Sequence, residues 1–204
     1  MPAESTLTVR QAAESRRDIR KYLQEEVPEA DLREILRQTR LAPSPDNFQP
    51  WRFVVVRDPD LRARMVPAAR NLKQVASAHA LIVLYADMED VLATVDEMIH
   101  PGVDERTRAR VRGNFLKTFG EWPMEERQRY AHAQAYVALG YLLLSAQAMG
   151  YHTSPMLEFY PDQVKEVLGL PPHVTIPALV TIGRGDEPGF PHHRHSVERI
   201  ARFR

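Results

Sequence analysis

The 204 residues suffice for one full hydrophobic core, and 27 basic against 27 acidic side chains leave no net field to draw the chain to nucleic acid or an anionic membrane. The absence of cysteine excludes disulfides, thiolate nucleophiles, iron–sulfur clusters and cysteine-bound zinc, and fits a reducing cytoplasm. The polar first seventeen residues have no apolar core of signal-peptide length, and the longest apolar stretch, 135–149, is too short and too polar to cross a bilayer.

Residues 8–14 are expected to form a short helix, followed by the basic run Arg16-Arg17-Asp18-Ile19-Arg20. Pro28 suits a first helical turn, with Glu29 and Asp31 complementing the dipole and Leu32, Ile35 and Leu36 giving an apolar stripe. Residues 42–50 hold Pro43, Pro45 and Pro50 and are expected as loop. Two strands follow at 51–56 (WRFVVV) and 80–85 (ALIVLY), the second apolar enough to be buried on both faces. Between them, 58–70 reads as a turn and a short helix interrupted at Pro67.

Residues 88–126 mix charge with scattered apolar side chains and read as a helical insert with a flexible joint, a candidate lid. The longest helix, 127–149, is apolar round much of its circumference, as helices buried between subunits are. Gly150 ends it as a left-handed cap, and Ser154-Pro155-Met156 is expected as loop. Pro161 opens a helix that Gly169 closes, 176–182 is a third strand, and the tail from 183 is mostly extended. This order lacks the regular alternation of βαβ units, so the expected class is α+β in a single domain, 1–204. No G-x-G-x-x-G or P-loop fingerprint occurs.

Four constellations bear on chemistry. Arg16, Arg17 and Arg20 offer three guanidiniums within five residues, suited to a phosphate by bidentate contact or simply a solvated basic turn. The proline-stiffened loop presents Ser44, Asn47 and Gln49, able to read the edge of a flavin or nucleobase or to cap their own backbone. Phe115, Phe119 and Trp122 are expected to pack the insert, with a role over a substrate as the alternative. His192-His193-Arg194-His195 has ligand-type side chains but no second ligand set at fixed spacing, so no metal site is expected.

Taken in order, Arg-Arg-x-x-Arg, then Ala-Pro-Ser-x-x-Asn-x-Gln-Pro-Trp, Asn71-Leu72-Lys73-Gln74, GYHTSPML (150–157) and Gly183 with the basic tail resemble the nitroreductase-like flavoprotein family. The resemblance implies an α+β fold, a small mixed sheet flanked by helices, and a homodimer with the long helix in its interface. It implies FMN held through phosphate and ribityl chain by Arg16, Arg17, Arg20 and Arg194. Ser44, Asn47 and Gln49 would come from the partner subunit, and Pro43 would also border the cofactor. Asn71 and Gln74 would address the ring edge, and Pro155, Met156 and Leu157 would lie beside the reactive ring nitrogen, with Gly183 in the closing segment. NADH or NADPH would be the reductant, a nitroaromatic, quinone or enone the acceptor, and no side chain would act as acid or base. Asp18 stands where many members carry Ser. With Ser154 it also resembles the flavin-fragmenting dimethylbenzimidazole synthases, a second reading beside a non-catalytic flavin-binding protein.

Overall fold

A computed structural model of the chain describes residues 6–204. Helix α1 (Val9–Ser15) starts from a reciprocal cap: Thr8 Oγ1 accepts from Gln11 N–H, and the Gln11 side chain accepts from Thr8 N–H. Helix α2 (Glu29–Thr39) buries the expected stripe at Leu32 and Ile35 and turns its charged side outward. A single 3-10 turn, Pro45–Asn47, sits in the proline-rich loop. Strand β1 (Trp51–Val56), helices α3 (Pro59–Ala68) and α4 (Lys73–Ser77), and strand β2 (Ala80–Ala86) follow. Pro67 falls in the last turn of α3, and the helix continues through it to Ala68 rather than breaking before it.

The expected insert, 88–126, folds as three helices, α5 (Met88–Ala93), α6 (Val95–Met98) and α7 (Glu105–Gly120), and the first residues of a fourth. Helix α8 (Met124–Ala148) begins three residues earlier than expected. Strand β3 (His152–Met156), helix α9 (Pro161–Leu168), strand β4 (Thr175–Gly183) and the one-turn helix α10 (Val197–Ile200) complete the chain.

The sheet order is β1-β2-β4-β3, and every strand ladder is antiparallel. Parallel pairing is confined to one isolated bridge between Asp18 and Thr153. Residues 154–156, expected as loop, instead form the last three residues of β3, with Pro155 opposite Val180. Proline is tolerated there because β3 is the last strand of the sheet, with a full ladder on one side only.

The central strands β2 and β4 are buried on both faces, with alternate residues feeding two cores. Ile82, Leu84, Ala178 and Val180 join the core under α8, α2 and the insert. Leu81, Val83 and Leu179 join the core with Met65 of α3, Val75 of α4 and Val164 of α9. Ala131, Ala135, Ala138 and Leu142 turn the buried side of α8 onto the sheet, while Tyr136, Val137 and Tyr141 stay on the surface. Phe115 and Phe119 pack as expected: both are buried, and with Tyr130 they surround Phe48 at ring separations of 6.1, 5.9 and 5.9 Å. The insert thereby grips the loop before β1. Among the described residues, no helix is long and apolar enough to cross a membrane.

Candidate active site

Arg16 caps the end of α1, and the chain then runs along the outer edge of β3. Ile19 N–H donates to Thr153 O at 3.2 Å, and Leu23 N–H donates to Arg184 O at 2.9 Å. Ile19 and Tyr22, three residues apart, turn inward to Ala78, which leaves Asp18, Arg20 and Lys21 facing a cleft of about 570 Å³. Asn71, Lys73 and Gln74 form its opposite wall, and Glu187 and Gly189 close one side. Asp18, Arg20, Asn71 and Gln74, distant in sequence, thus line one concavity.

The charges divide into paired and unpaired. Arg20 Nε donates to Asp18 Oδ2 at 2.9 Å, and Glu187 Oε1 accepts backbone N–H groups from Arg20 and Lys21 at 2.7 and 3.2 Å. Among the described residues, Arg16, Arg17 and Arg194 have no carboxylate within ion-pair distance. Their hydrogen bonds go to carbonyls instead: Arg16 to Arg17 O, Arg17 to Glu14 O, and Arg194 to His193 O. Half-burial lowers the Arg16 pKa; Asp18 opposes this, while Arg194 and Arg17 add to it, so the three guanidiniums share one electrostatic neighbourhood. Gly189 holds the tail against this run. Its φ is +67°, and a Cβ there would lie 2.7 Å from Arg17 Cβ.

Uncompensated guanidiniums in close company suit a polyvalent anion such as a phosphate. Beside them, Asp18 Oδ1 and Thr153 Oγ1 are buried without hydrogen-bond partners, an unmet demand that ligand hydroxyls satisfy. The residues present therefore fit a phosphorylated polyol.

The other expected residues lie elsewhere. Pro43, Ser44, Asn47 and Gln49 do not line this cleft. Gln49 N–H donates to Ser44 Oγ at 2.9 Å, Asn47 Nδ2 to Met98 O at 3.0 Å, and Gln49 Nε2 to Asn47 O at 3.0 Å. Gln49 also borders a second cleft with Arg52, Asp90 and Glu97. Ser154 and Met156 are packed inside the sheet, Pro155 is half-buried, and Leu157 is 62% exposed just past β3. Gly183 is packed against the Tyr22 ring. The three tail histidines are exposed, and among the described residues no group of three potential ligands is placed to hold a metal.

Backbone strain singles out the same loops. Among the described residues, the non-glycine residues with left-handed φ are Asp46, Asn47, Gln49, Arg70 and Asn71, at +43° to +57°. Such conformations cost about 1–3 kcal/mol each and collect at functional sites. Three of the five are residues already singled out from sequence. Sequence reasoning missed Lys21, Lys73 and Glu187 on the cleft wall; position next to Arg20 and Asn71 was the available signal for the two lysines, and nothing local marked Glu187.

The family model described as "Nitroreductase family" matches residues 13–184. The chain belongs to the nitroreductase family. Within this family, it is 46% identical over 204 residues to an NADH dehydrogenase from Thermus thermophilus, covering 98% of this chain and 100% of the relative. An oxygen-insensitive NADPH nitroreductase from Helicobacter pylori is 30% identical over 147 residues, 70% of each chain. Among solved structures, a nitroreductase from Exiguobacterium sibiricum in complex with FMN superposes with a TM-score of 0.86 at 26% identity, covering 99% of this chain and 100% of that one. The nitroreductase-family span takes in the arginine run, the strained loops and the Asn71–Gln74 wall of the cleft, and stops before Glu187, Gly189 and Arg194.

Proposed function

We propose that the protein is an FMN-dependent NAD(P)H oxidoreductase acting on a small conjugated acceptor such as a nitroaromatic or quinone. The observation that carries this is the uncompensated cluster of Arg16, Arg17 and Arg194 beside a cleft walled by Asn71 and Gln74. Its relatives support the nicotinamide and the flavin: one is named an NADH dehydrogenase, another an NADPH nitroreductase, and a third was solved with FMN.

In this reading Arg16, Arg17 and Arg194 bind the phosphate, and Asp18 Oδ1 accepts from the polyol chain. Arg20 pairs with Asp18, which lessens but does not cancel the cost of a carboxylate near the phosphate. Asn71 and Gln74 orient the ring edge, and the backbone of 155–157 borders the reacting face. FMN held there would supply hydride-transfer chemistry between a reduced nicotinamide and the acceptor. The protein positions and desolvates; no side chain need serve as acid or base.

Ser44, Asn47 and Gln49 act across a homodimer. The apolar groove of about 510 Å³ lined by Val9, Leu41, Tyr141 and Leu144, next to exposed Tyr136 and Val137, supplies the interface. The test is FMN titration by fluorescence quenching. Replacing Arg16 and Arg17 together with Ala weakens binding at least tenfold; unchanged affinity would remove the phosphate assignment.

A further inference from the structure

Arg194 reaches the arginine run from the far end of the chain, by a route that the contacts trace residue by residue. Gly185 makes an antiparallel bridge with Tyr22, and Asp186 N–H donates to Lys21 O at 2.9 Å. Glu187 Oε1 then accepts from the N–H groups of Arg20 and Lys21. Gly189 lies against Arg17 and Ile19, and the His192 ring donates through Nε2 to Ala13 O at 3.2 Å. As the tail advances from 185 to 192, its partners step back from 22 to 13. The tail is a strap laid antiparallel on the segment that carries Arg16, Arg17 and Arg20. Every residue from 190 to 204 is exposed, so these pins, rather than burial in a core, decide its course.

Two of the pins set where Arg194 falls. Ala13 lies in the last turn of α1, three residues before Arg16, and His192 lies two residues before Arg194. Arg194 therefore stems from a point at most about 7 Å of chain beyond the His192 contact. It is close enough to Arg16 to help lower the pKa of that guanidinium. Gly189 sets how tightly the strap lies. A Cβ there would stand 2.7 Å from Arg17 Cβ and 2.9 Å from Ile19 Cδ1, and its φ is left-handed. Ile19 is 1% exposed and has no room to yield. Pro188 and Pro191 restrict the backbone on either side, so the bend at Gly189 is built in.

We infer that Gly189 and His192 are positioning residues for the Arg194 guanidinium, and that the strap they hold makes the site select a phosphorylated flavin over an unphosphorylated one. This rests on the flavin reading above and assigns the part of it that separates FMN from riboflavin, which share the ring and the polyol chain and differ in the phosphate. A Cβ at 189 lifts the strap off Arg17 and carries Arg194 away from Arg16. The phosphate then loses one of three charged donors. Asp18, Asn71 and Gln74, proposed for the polyol chain and the ring edge, lie outside the strap.

The test measures Kd for FMN and for riboflavin by flavin fluorescence on the full chain. The variants are Gly189→Ala, His192→Ala, Arg194→Ala and the double variant Gly189→Ala/Arg194→Ala, each checked by thermal unfolding. Arg194→Ala is expected to weaken FMN about tenfold and leave riboflavin little changed. Gly189→Ala is expected to do the same, and His192→Ala, which removes one exposed contact, to weaken FMN several-fold. The double variant is expected to bind FMN no more weakly than Arg194→Ala alone, because a lifted strap has already withdrawn that guanidinium. Should Gly189→Ala fail to fold, His192→Ala closes the same cycle with Arg194→Ala. Losses that multiply in the double variant, equal losses for both flavins, or unchanged FMN affinity in the strap variants overturn the inference while the flavin reading stands. If Arg194→Ala leaves FMN affinity unchanged, the phosphate role of Arg194 fails, and this inference with it. A wild-type chain that binds neither flavin fails the flavin reading itself.

Discussion

Gly183 and Tyr22 lie in direct apposition: a Cβ at position 183 would stand 2.8 Å from Tyr22 Cδ1. Tyr22 cannot easily withdraw. It is 5% exposed, and its hydroxyl is 2.8 Å from Thr181 Oγ1. This contact locks the arginine-bearing segment onto the end of β4. Gly183→Ala is therefore expected to destabilise the fold by about 1–3 kcal/mol through overpacking, seen as a lower denaturant midpoint.

Asp18 puts one negative charge next to the guanidiniums of the proposed phosphate site. Its ion pair with Arg20 is largely exposed and of small energetic worth, but its carboxylate still opposes an incoming anion. Asp18→Ser frees Arg20 and keeps a side-chain oxygen to accept from the polyol chain, so it is expected to tighten FMN several-fold, with affinity falling more steeply as salt rises. Fluorescence titration at two ionic strengths measures both effects.

His152 gives stability a dependence on acid. Its Nδ1 accepts from Gly185 N–H at 3.0 Å, which requires that nitrogen to be unprotonated, and burial lowers its pKa. The unfolded chain takes up a proton near the ordinary histidine value of about 6.5, while the folded chain resists it to lower pH. Unfolding is thus favoured as pH falls below about 6.5, and the contribution is fully present above that value. Urea midpoints at pH 7.5 and 5.5 are expected to differ, and His152→Asn, which keeps an acceptor without a titrating ring, is expected to narrow the difference.

Phe48 ties the strained loop to the insert. Its ring is buried among Phe115, Phe119 and Tyr130, and its neighbours Asn47 and Gln49 have left-handed backbones. Phe48→Ala is expected to cost about 3–5 kcal/mol, and Phe48→Leu much less. Because the loop is proposed to act across the dimer, Phe48→Leu is also expected to weaken FMN binding more than its stability loss accounts for.

Elements specified by local chemistry were legible in the sequence. The stripe of α2, the apolar runs of β1 and β2, and Gly169 ending α9 at φ +63° all follow from periodicity and backbone preference. Strand β3 was not legible, since Ser154-Pro155 has turn chemistry and only the neighbouring β4 ladder makes it extended. Pro67 misled for a related reason: at the end of α3, the lost N–H and the steric clash affect only the last turn. At the site, the arginine run and Asn71 could be picked out by residue type. Their convergence with Lys21, Lys73 and Glu187 could not, because it depends on how residues 18–22 pack along β3.

The most direct measurement is the visible absorption spectrum of the protein loaded with FMN, recorded under anaerobic conditions before and after NADH or NADPH. The account predicts a protein-bound flavin spectrum that bleaches on adding reductant and recovers on adding a quinone. A chain that takes up no FMN, or a bound flavin that neither nucleotide reduces, would contradict it.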